Sequence, residues 1–399
     1  MARPKTLNRE RVLILIPNFV GYRGDVINEV QLVKYLCRDR PCIILGFTQG
    51  FKFALLKRFI ADLRKDKWMQ NSVILPLPIL RPYTISLLLV SILLAPIILL
   101  LDKLKPIKFI YVRSSPLAFA FVLIPSLARK TCVKIPEIFE DDVRDLGRIF
   151  SFIFRLADRL ALDRANYICV PSSLLLRKIA LRRGLLPRGK VVYVPAGVDG
   201  EKIENIRKQT QYRVNVREEY TIGFIGLIEW WQGVDILVYA TAKIKNSLNK
   251  PVKLLIVGDG PERRKIEKLC KELRVNCHIT GSVKHEEALR LMGKLDVLVV
   301  PRRRISSTES VIPIKVIEAW ALGVPVITTK HEIYNYIGLT YGEDLVFCEP
   351  DPNDVADKIL MVLKDEKLRE KLSKRGLRLA ENYHYDQIAE NLIKALEDP

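Results

Sequence analysis

The 399-residue chain is short of acids and of histidine. Its 45 Asp plus Glu face 65 Lys plus Arg, a formal net charge of +20, and a surplus that large calls for polyanions among the partners: nucleic acid, anionic lipid or phosphorylated ligands. The patterns by which basic proteins read nucleic acid are missing too. There is no zinc finger, no RNP-like aromatic pattern and no long basic helix, so no nucleic-acid partner is expected. All four histidines (His278, His285, His331, His384) lie in the second half, which leaves the first half without an imidazole to assist at a reacting centre. The seven cysteines (Cys37, Cys42, Cys132, Cys169, Cys270, Cys277, Cys348) are odd in number, scattered and without a CxxC pair. Neither a disulfide framework nor a zinc site is indicated, and a reducing cytoplasm fits best. The opening basic residues are followed by an apolar run, 12–16, too short for a signal-peptide core and ended by Pro17.

What is present is material for two cores. Hydrophobic residues make up 49% of the chain and charged residues 28%, a globular composition, and the length favours two domains of roughly 200 residues each. The run 12–16 reads as a strand covered on both faces, followed by a helix with Val26, Val30, Val33 and Leu36 on one side. Further strands are predicted at 42–45, 109–112, 168–170 and 191–194. After a polar stretch at 201–219 a second series follows at 220–225, 254–257, 277–280, 297–300 and 324–328. The helix predicted at 261–273 sets Ile266, Leu269 and Leu273 against a charged side, and helices at 352–363, 367–382 and 385–396 close the chain. Alternating strand and helix implies parallel sheets, whose ligands bind beyond the carboxyl ends of the strands. The expected organisation is one Rossmann-like domain over 1–205, a second over 206–384, and a last helix, 385–399, crossing back to the first.

Residues 85–101 break the pattern: 17 residues without a charge, flanked by Arg81, Lys103 and Lys105, with Pro96 inside. As a helix the segment spans about 26 Å at 1.5 Å per residue, short of a ~30 Å hydrocarbon layer. A buried helix, a helix embedded in one leaflet against anionic headgroups, and a full span are all open readings. The basic, amphipathic stretch 51–67 suits either the same membrane-facing side or an ordinary surface.

The chemistry concentrates in 296–329: a strand, a basic loop with Arg302, Arg303 and Arg304, a helix opening at Pro313, then Gly323 and another strand. Proline suits a first helical position, and the free N–H groups of a helix start make an anion site. Lys315 and Glu318, three apart on one helix face, give a cation and a carboxylate to adjacent parts of one ligand, the layout of a nucleotide's phosphates and ribose.

In Pro313, Ile314, Lys315, Glu318, Ala321, Gly323, Pro325 and Val326 the chain resembles the retaining group 4 glycosyltransferases of GT-B fold, whose donor site follows this register. The resemblance continues through 223–233 (GFIGLIEWWQG), 254–261 (LLIVGDGP), 277–283 (CHITGSV) and, in the first half, 193–199 (YVPAGVD). It implies an α/β protein of two Rossmann-like domains facing across a deep cleft. It also implies donor contacts from Gly226, Gln232, Gly258, Gly281 and Arg302 together with Pro313, Ile314 and Lys315, and a Glu318 that accepts hydrogen bonds from ribose hydroxyls. The family's earlier glutamate falls on Ser310, beside Glu309, and where the family often has Arg and Lys after the loop glycine this chain has Leu227 and Gln232. Lys315 is then the first candidate to neutralise the diphosphate, with the arginine run next. On the acceptor side 111–116 (YVRSSP) and 136–142 (PEIFEDD) resemble the strand ends that face the donor, making Glu137 and Asp141 catalytic candidates beside Glu309 and Ser310. The first loop has Gly21, Tyr22, Arg23 and Gly24 in place of the usual glycine pair.

The implied activity is retaining transfer from a nucleotide sugar, UDP- or GDP-linked, to a lipid-linked acceptor or cell-surface glycan precursor. It needs no cofactor and no metal and takes place at the cytoplasmic face of the membrane with peripheral contact. A sugar-nucleotide epimerase or phosphorylase uses the same architecture, and a basic nucleic-acid-binding protein is the non-enzymatic alternative.

Overall fold

The computed structural model describes residues 11–17, 24–49, 60–61, 63–64, 69, 72–79, 83–137, 148–211, 218–305 and 309–397. The candidate Asp141, its neighbours at 140 and 142, the loop at 21–23 and most of 51–67 lie outside them. The chain divides into two compact units: Met1–Gly21, Glu29–Pro195 and Ile388–Pro399 form the first, Tyr22–Asn28 and Ala196–Gln387 the second.

The first unit holds a seven-stranded parallel sheet ordered β3-β2-β1-β4-β5-β6-β7. Its strands are β1 (Arg11–Ile16), β2 (Cys42–Gln49), β3 (Ser72–Ile79), β4 (Ile107–Arg113), β5 (Thr131–Lys134), β6 (Tyr167–Val170) and β7 (Lys190–Tyr193). The interior strand β1 is the apolar run read from sequence, buried from Val12 to Ile16, as a strand covered by helices on both faces must be. The helices are α1 (Gly24–Leu36), α2 (Tyr83–Leu104), α3 (Ser115–Leu123), α4 (Arg148–Arg164) and α5 (Ser173–Arg183). The tight return from α1 into β2 brings Cys37 and Cys42 together, and they form a disulfide with Cα atoms 5.8 Å apart. The sequence reading, which indicated no disulfide framework, did not anticipate this single bond; the other five cysteines are free thiols.

The second unit begins with α6 (Gly200–Gln211) and holds a six-stranded parallel sheet ordered β10-β9-β8-β11-β12-β13. Its strands are β8 (Tyr220–Ile225), β9 (Val252–Val257), β10 (Cys277–Ile279), β11 (Val297–Val300), β12 (Val326–Thr329) and β13 (Val346–Cys348). The helices are α7 (Val234–Ile244), α8 (Arg263–Glu272), α9 (His285–Met292), α10 (Ile314–Ala321), α11 (Glu332–Tyr336), α12 (Pro352–Lys364) and α13 (Glu366–Ala380); the last helix, α14 (Tyr385–Glu397), belongs to the first unit from Ile388 onward. Ile266 and Cys270 form the buried stripe of α8. Both sheets and their covering helices make the chain α/β, of Rossmann-like strand order.

Candidate active site

The order of the second sheet reverses between β8, which continues to β9, and β11, which continues to β12. A crevice at the carboxyl ends of such neighbouring strands is where open α/β sheets bind ligands. Four sequence-predicted residues stand at these strand ends: Gly226 after β8, Gly258 after β9, Gly281 after β10 and Arg302 after β11. Gly258 has φ +147°, and a Cβ there would lie 1.9 Å from the carbonyl oxygen of Gly226, so only glycine lets the two loops approach this closely. Gly258 also bridges Gly281, drawing the third loop in.

Lys315, the second residue of α10, is only 6% exposed. Its ammonium donates to Gln232 Oε1 at 3.1 Å and stands 4.2 Å from the centroid of the Phe224 ring. A Cβ on Gly226 would fall 2.7 Å from Nζ, so the glycine keeps the space that the ammonium fills. Arg302 donates through Nε to the same Gln232 oxygen at 3.3 Å and lies over the Trp231 ring at 5.1 Å. Two cations thus share one neutral acceptor, and among the described residues neither forms an ion pair with a carboxylate. Burial, reinforced by Arg302, pushes the Lys315 ammonium well below the usual lysine range, and burial lowers Arg302 to about 10. Unbound, this is a costly arrangement; an anion with two or more oxygens would relieve it.

Glu318, one turn further along α10, is buried, with Oε1 2.5 Å from Nε2 of His285, the first residue of α9. The other His285 nitrogen, Nδ1, is buried without a partner. Sequence reasoning missed His285; its one signal was a histidine opening a helix shortly after Gly281. Pro313 is not the first helical residue but the N-cap, at φ −62° and ψ 135°, and the helix opens at Ile314. The first N–H groups of α10 have no partner within the helix, as at any helix start.

The remaining arginines of the run are already neutralised. Arg303 forms bonds of 3.0 and 2.7 Å with Asp235, and Arg304 pairs with Glu349 at 2.9 Å. Glu309 turns to the start of α11, accepting from His331 Nδ1 at 3.0 Å and from the Glu332 N–H at 2.7 Å, while Ser310 is buried beside it. Burial lowers the His331 pKa against the pull of Glu309, so the imidazole is kept neutral.

Glu137 belongs to the first unit, just beyond β5. The nearby strand ends carry a buried polar cluster that the sequence did not reveal. Glu29 on α1 accepts from Lys134 at 2.5 Å and Tyr111 Oη at 3.0 Å, with Arg113 Nε 3.3 Å away. Burial pushes the Glu29 carboxyl up, but Lys134 and Arg113 more than reverse this and hold it below the usual carboxylate range.

Residues 205–379, which contain every element of the site in the second unit, match the sequence profile described as glycosyl transferases group 1. Over this stretch the chain is similar to that family. It is 18% identical over 253 residues to an uncharacterized glycosyltransferase, MJ1069, of Methanocaldococcus jannaschii, a match covering 63% of each chain. It is 26% identical over 300 residues to the capsular polysaccharide biosynthesis glycosyltransferase CapM of Staphylococcus aureus, covering 73% of this chain and 76% of that one. The first curated relatives are matched over only 36% to 63% of their own length. Among solved structures, Anabaena HepE in complex with UDP and glucose superposes with a TM-score of 0.71 at 17% identity, covering 98% of this chain and all of that one. The fold is therefore GT-B.

Proposed function

We propose that this protein transfers a sugar from a nucleotide-sugar donor to a lipid-linked or glycan-precursor acceptor, with retention of anomeric configuration, at the cytoplasmic face of a membrane. The observation that carries the proposal is the pair Lys315 and Arg302, two cations gathered on Gln232 with no carboxylate paired to either among the described residues. In this reading the donor diphosphate takes the place of the missing anion. Its oxygens accept from Lys315, Arg302 and the opening N–H groups of α10, and the ribose hydroxyls donate to Glu318. When the bond between sugar and phosphate breaks, negative charge grows on the departing diphosphate, and donors already in place stabilise it without reorganising. The family match over 205–379 and the UDP seen in HepE support a nucleotide-sugar donor, and the name of CapM supports a glycan acceptor. UDP or GDP is the proposed carrier, with no metal or further cofactor.

Thermal unfolding against UDP, GDP, ADP and CMP tests this first. One nucleotide at 100 times its dissociation constant is expected to stabilise the protein by about 2.7 kcal/mol. Proton NMR of the product formed from the corresponding nucleotide sugar then reads the anomeric outcome. Stabilisation without transfer to any acceptor would indicate an epimerase or phosphorylase, and no stabilisation by any of the four would remove the donor site as proposed.

Binding of that nucleotide is also expected to depend on pH. The free protein holds the Lys315 pKa well below the usual lysine value, and an anion beside it raises it again. Binding therefore takes up a proton in the interval between the two, and affinity falls with rising pH by up to about tenfold per unit. Stability of the free protein runs the other way. Its unfolded state binds the extra proton in the window between the lowered folded value and the ordinary one, so this group's contribution rises with pH there. Calorimetric titration from pH 7.5 upward, in wild type and Lys315→Arg, checks the sign; an affinity independent of pH in both would exclude Lys315 from the phosphate contact.

A further inference from the structure

Helix α2 is apolar on both sides. Leu87, Ser91, Ala95 and Ile98, spaced as one helical face, are buried, and the Ser91 hydroxyl accepts from the Ala120 N–H at 2.8 Å, fastening α2 to α3. The opposite face is formed by Leu89, Leu93, Ile97, Leu100 and Leu104, exposed by 52% to 72%. A helix at a protein–water boundary ordinarily turns polar residues outward. Here the 20-residue stretch Ile85–Leu104 has a mean hydropathy of 2.6 and only 22% of its most apolar window is buried. The surface continues beyond α2. Helix α4, which packs beside α3, exposes Phe152 by 60% together with Leu156, and the last residue of α3, Leu123, is exposed as well. Exposed basic residues lie among these apolar side chains: Lys103 and Lys105 at the end of α2, Arg129 after α3, and Arg155 and Arg159 on α4.

The topology decides how such a surface can meet a bilayer. The strand before α2, β3, and the strand after it, β4, belong to the same seven-stranded sheet, so both ends of α2 stay on one side of any membrane. The C-terminal end is fixed twice more, by Asp102 accepting from the Ile107 N–H at 2.7 Å and from Lys130 at 2.8 Å. A spanning arrangement would tear the sheet apart. A symmetric pairing of two copies through the same face would set one basic rim against the other.

We propose that the outer faces of α2 and α4 form a membrane-docking surface, with α2 lying in the plane of a single leaflet and the surrounding lysines and arginines on anionic headgroups. This sinks the apolar face about 5–10 Å, as interfacial helices do, while the charges are drawn to the anionic headgroups. It gives the lipid-linked acceptor of the proposed function a physical route, but the docking rests on this face alone and not on the donor site.

The test is flotation of the full-length protein with vesicles of phosphatidylcholine alone and with 30% phosphatidylglycerol, alongside sedimentation velocity without lipid. The variant Leu93→Gln/Ile97→Gln/Leu100→Gln removes the centre of the face; Leu181→Gln/Leu186→Gln alters exposed leucines elsewhere in the same unit. Circular dichroism and nucleotide-induced stabilisation establish that each variant is folded. Wild type and the Leu181/Leu186 variant are expected to bind anionic vesicles at least tenfold better than the α2 variant, and to lose binding as salt is raised. Equal binding by all three would overturn the proposal, and so would a wild-type dimer that ignores vesicles and becomes monomeric in the α2 variant. Either failure leaves the nucleotide response intact, which keeps this question separate from the donor site.

Discussion

Lys315→Met is expected to raise thermal stability while reducing sugar transfer by about 10²–10³-fold, the cost of losing one preorganised donor to a charge that develops in the transition state. The two effects have one origin. In the free protein the ammonium is buried beside Arg302 with a neutral partner, Gln232, and each cation raises the cost of the other. Methionine fills nearly the same volume between Phe224 and Gly226 without a charge, and exchanging buried ionic groups for packed apolar ones is often stabilising by about 1–4 kcal/mol. For a domain of this size that is a rise of roughly 2–10 °C. Differential scanning calorimetry and steady-state transfer rates, run on the same preparations, check both signs. A variant that is both less stable and less active would mean that Lys315 is structural, and a more stable variant with unchanged kcat would mean that the diphosphate is held elsewhere.

Gln232 shows how far the sequence could be read. Its position was legible as a departure from the family, where a cation is usual, and the compensation was sought in Lys315 and the arginine run. The structure makes Gln232 the acceptor on which both Lys315 and Arg302 converge, 83 and 70 residues away in the chain, a convergence that no local pattern carries. The same holds for His285 and Glu318, 33 residues apart, and for Lys134 and Glu29, 105 apart. The strands read correctly include most of the interior ones, whose apolar runs are long because both faces are covered, and the edge strands β7 and β10. The three that were missed lacked that signal. Strand β3 (SVILPLPI) contains two prolines and is tolerated because it is an edge strand, where a missing N–H breaks no ladder; β13, with three residues, is the edge of the other sheet. Strand β5 reads TCVK, with Lys134 buried only because Glu29 meets it. For α2 the sequence left three readings open, and it is the neighbouring strands of one sheet, not the helix itself, that remove the full span.

Glu318→Ala is expected to weaken nucleotide binding by about 10–150-fold, since a hydrogen bond to a charged group contributes about 1.5–3 kcal/mol. It should leave the affinity for inorganic diphosphate nearly unchanged, because the carboxylate addresses the ribose and Lys315 the phosphates. Lys315→Met is expected to weaken nucleotide and diphosphate alike, and the contrast with Glu318→Ala is what a general loss of structure would not produce. His285 enters as a positioning residue: with Nε2 2.5 Å from one Glu318 oxygen, it fixes the carboxylate and leaves the second oxygen for a hydroxyl. His285→Ala should therefore cost about tenfold in nucleotide affinity in wild type and almost nothing in the Glu318→Ala background, a coupling of about 1.4 kcal/mol in a double-mutant cycle. His285→Gln, which keeps a donor near the same place, should recover part of the loss. Isothermal titration with the nucleotide and with diphosphate gives all of these constants. If the two single-variant costs simply add, the imidazole does not act through Glu318. If Glu318→Ala weakens diphosphate as much as nucleotide, then the carboxylate supports the phosphate cations and the ribose is held by other groups.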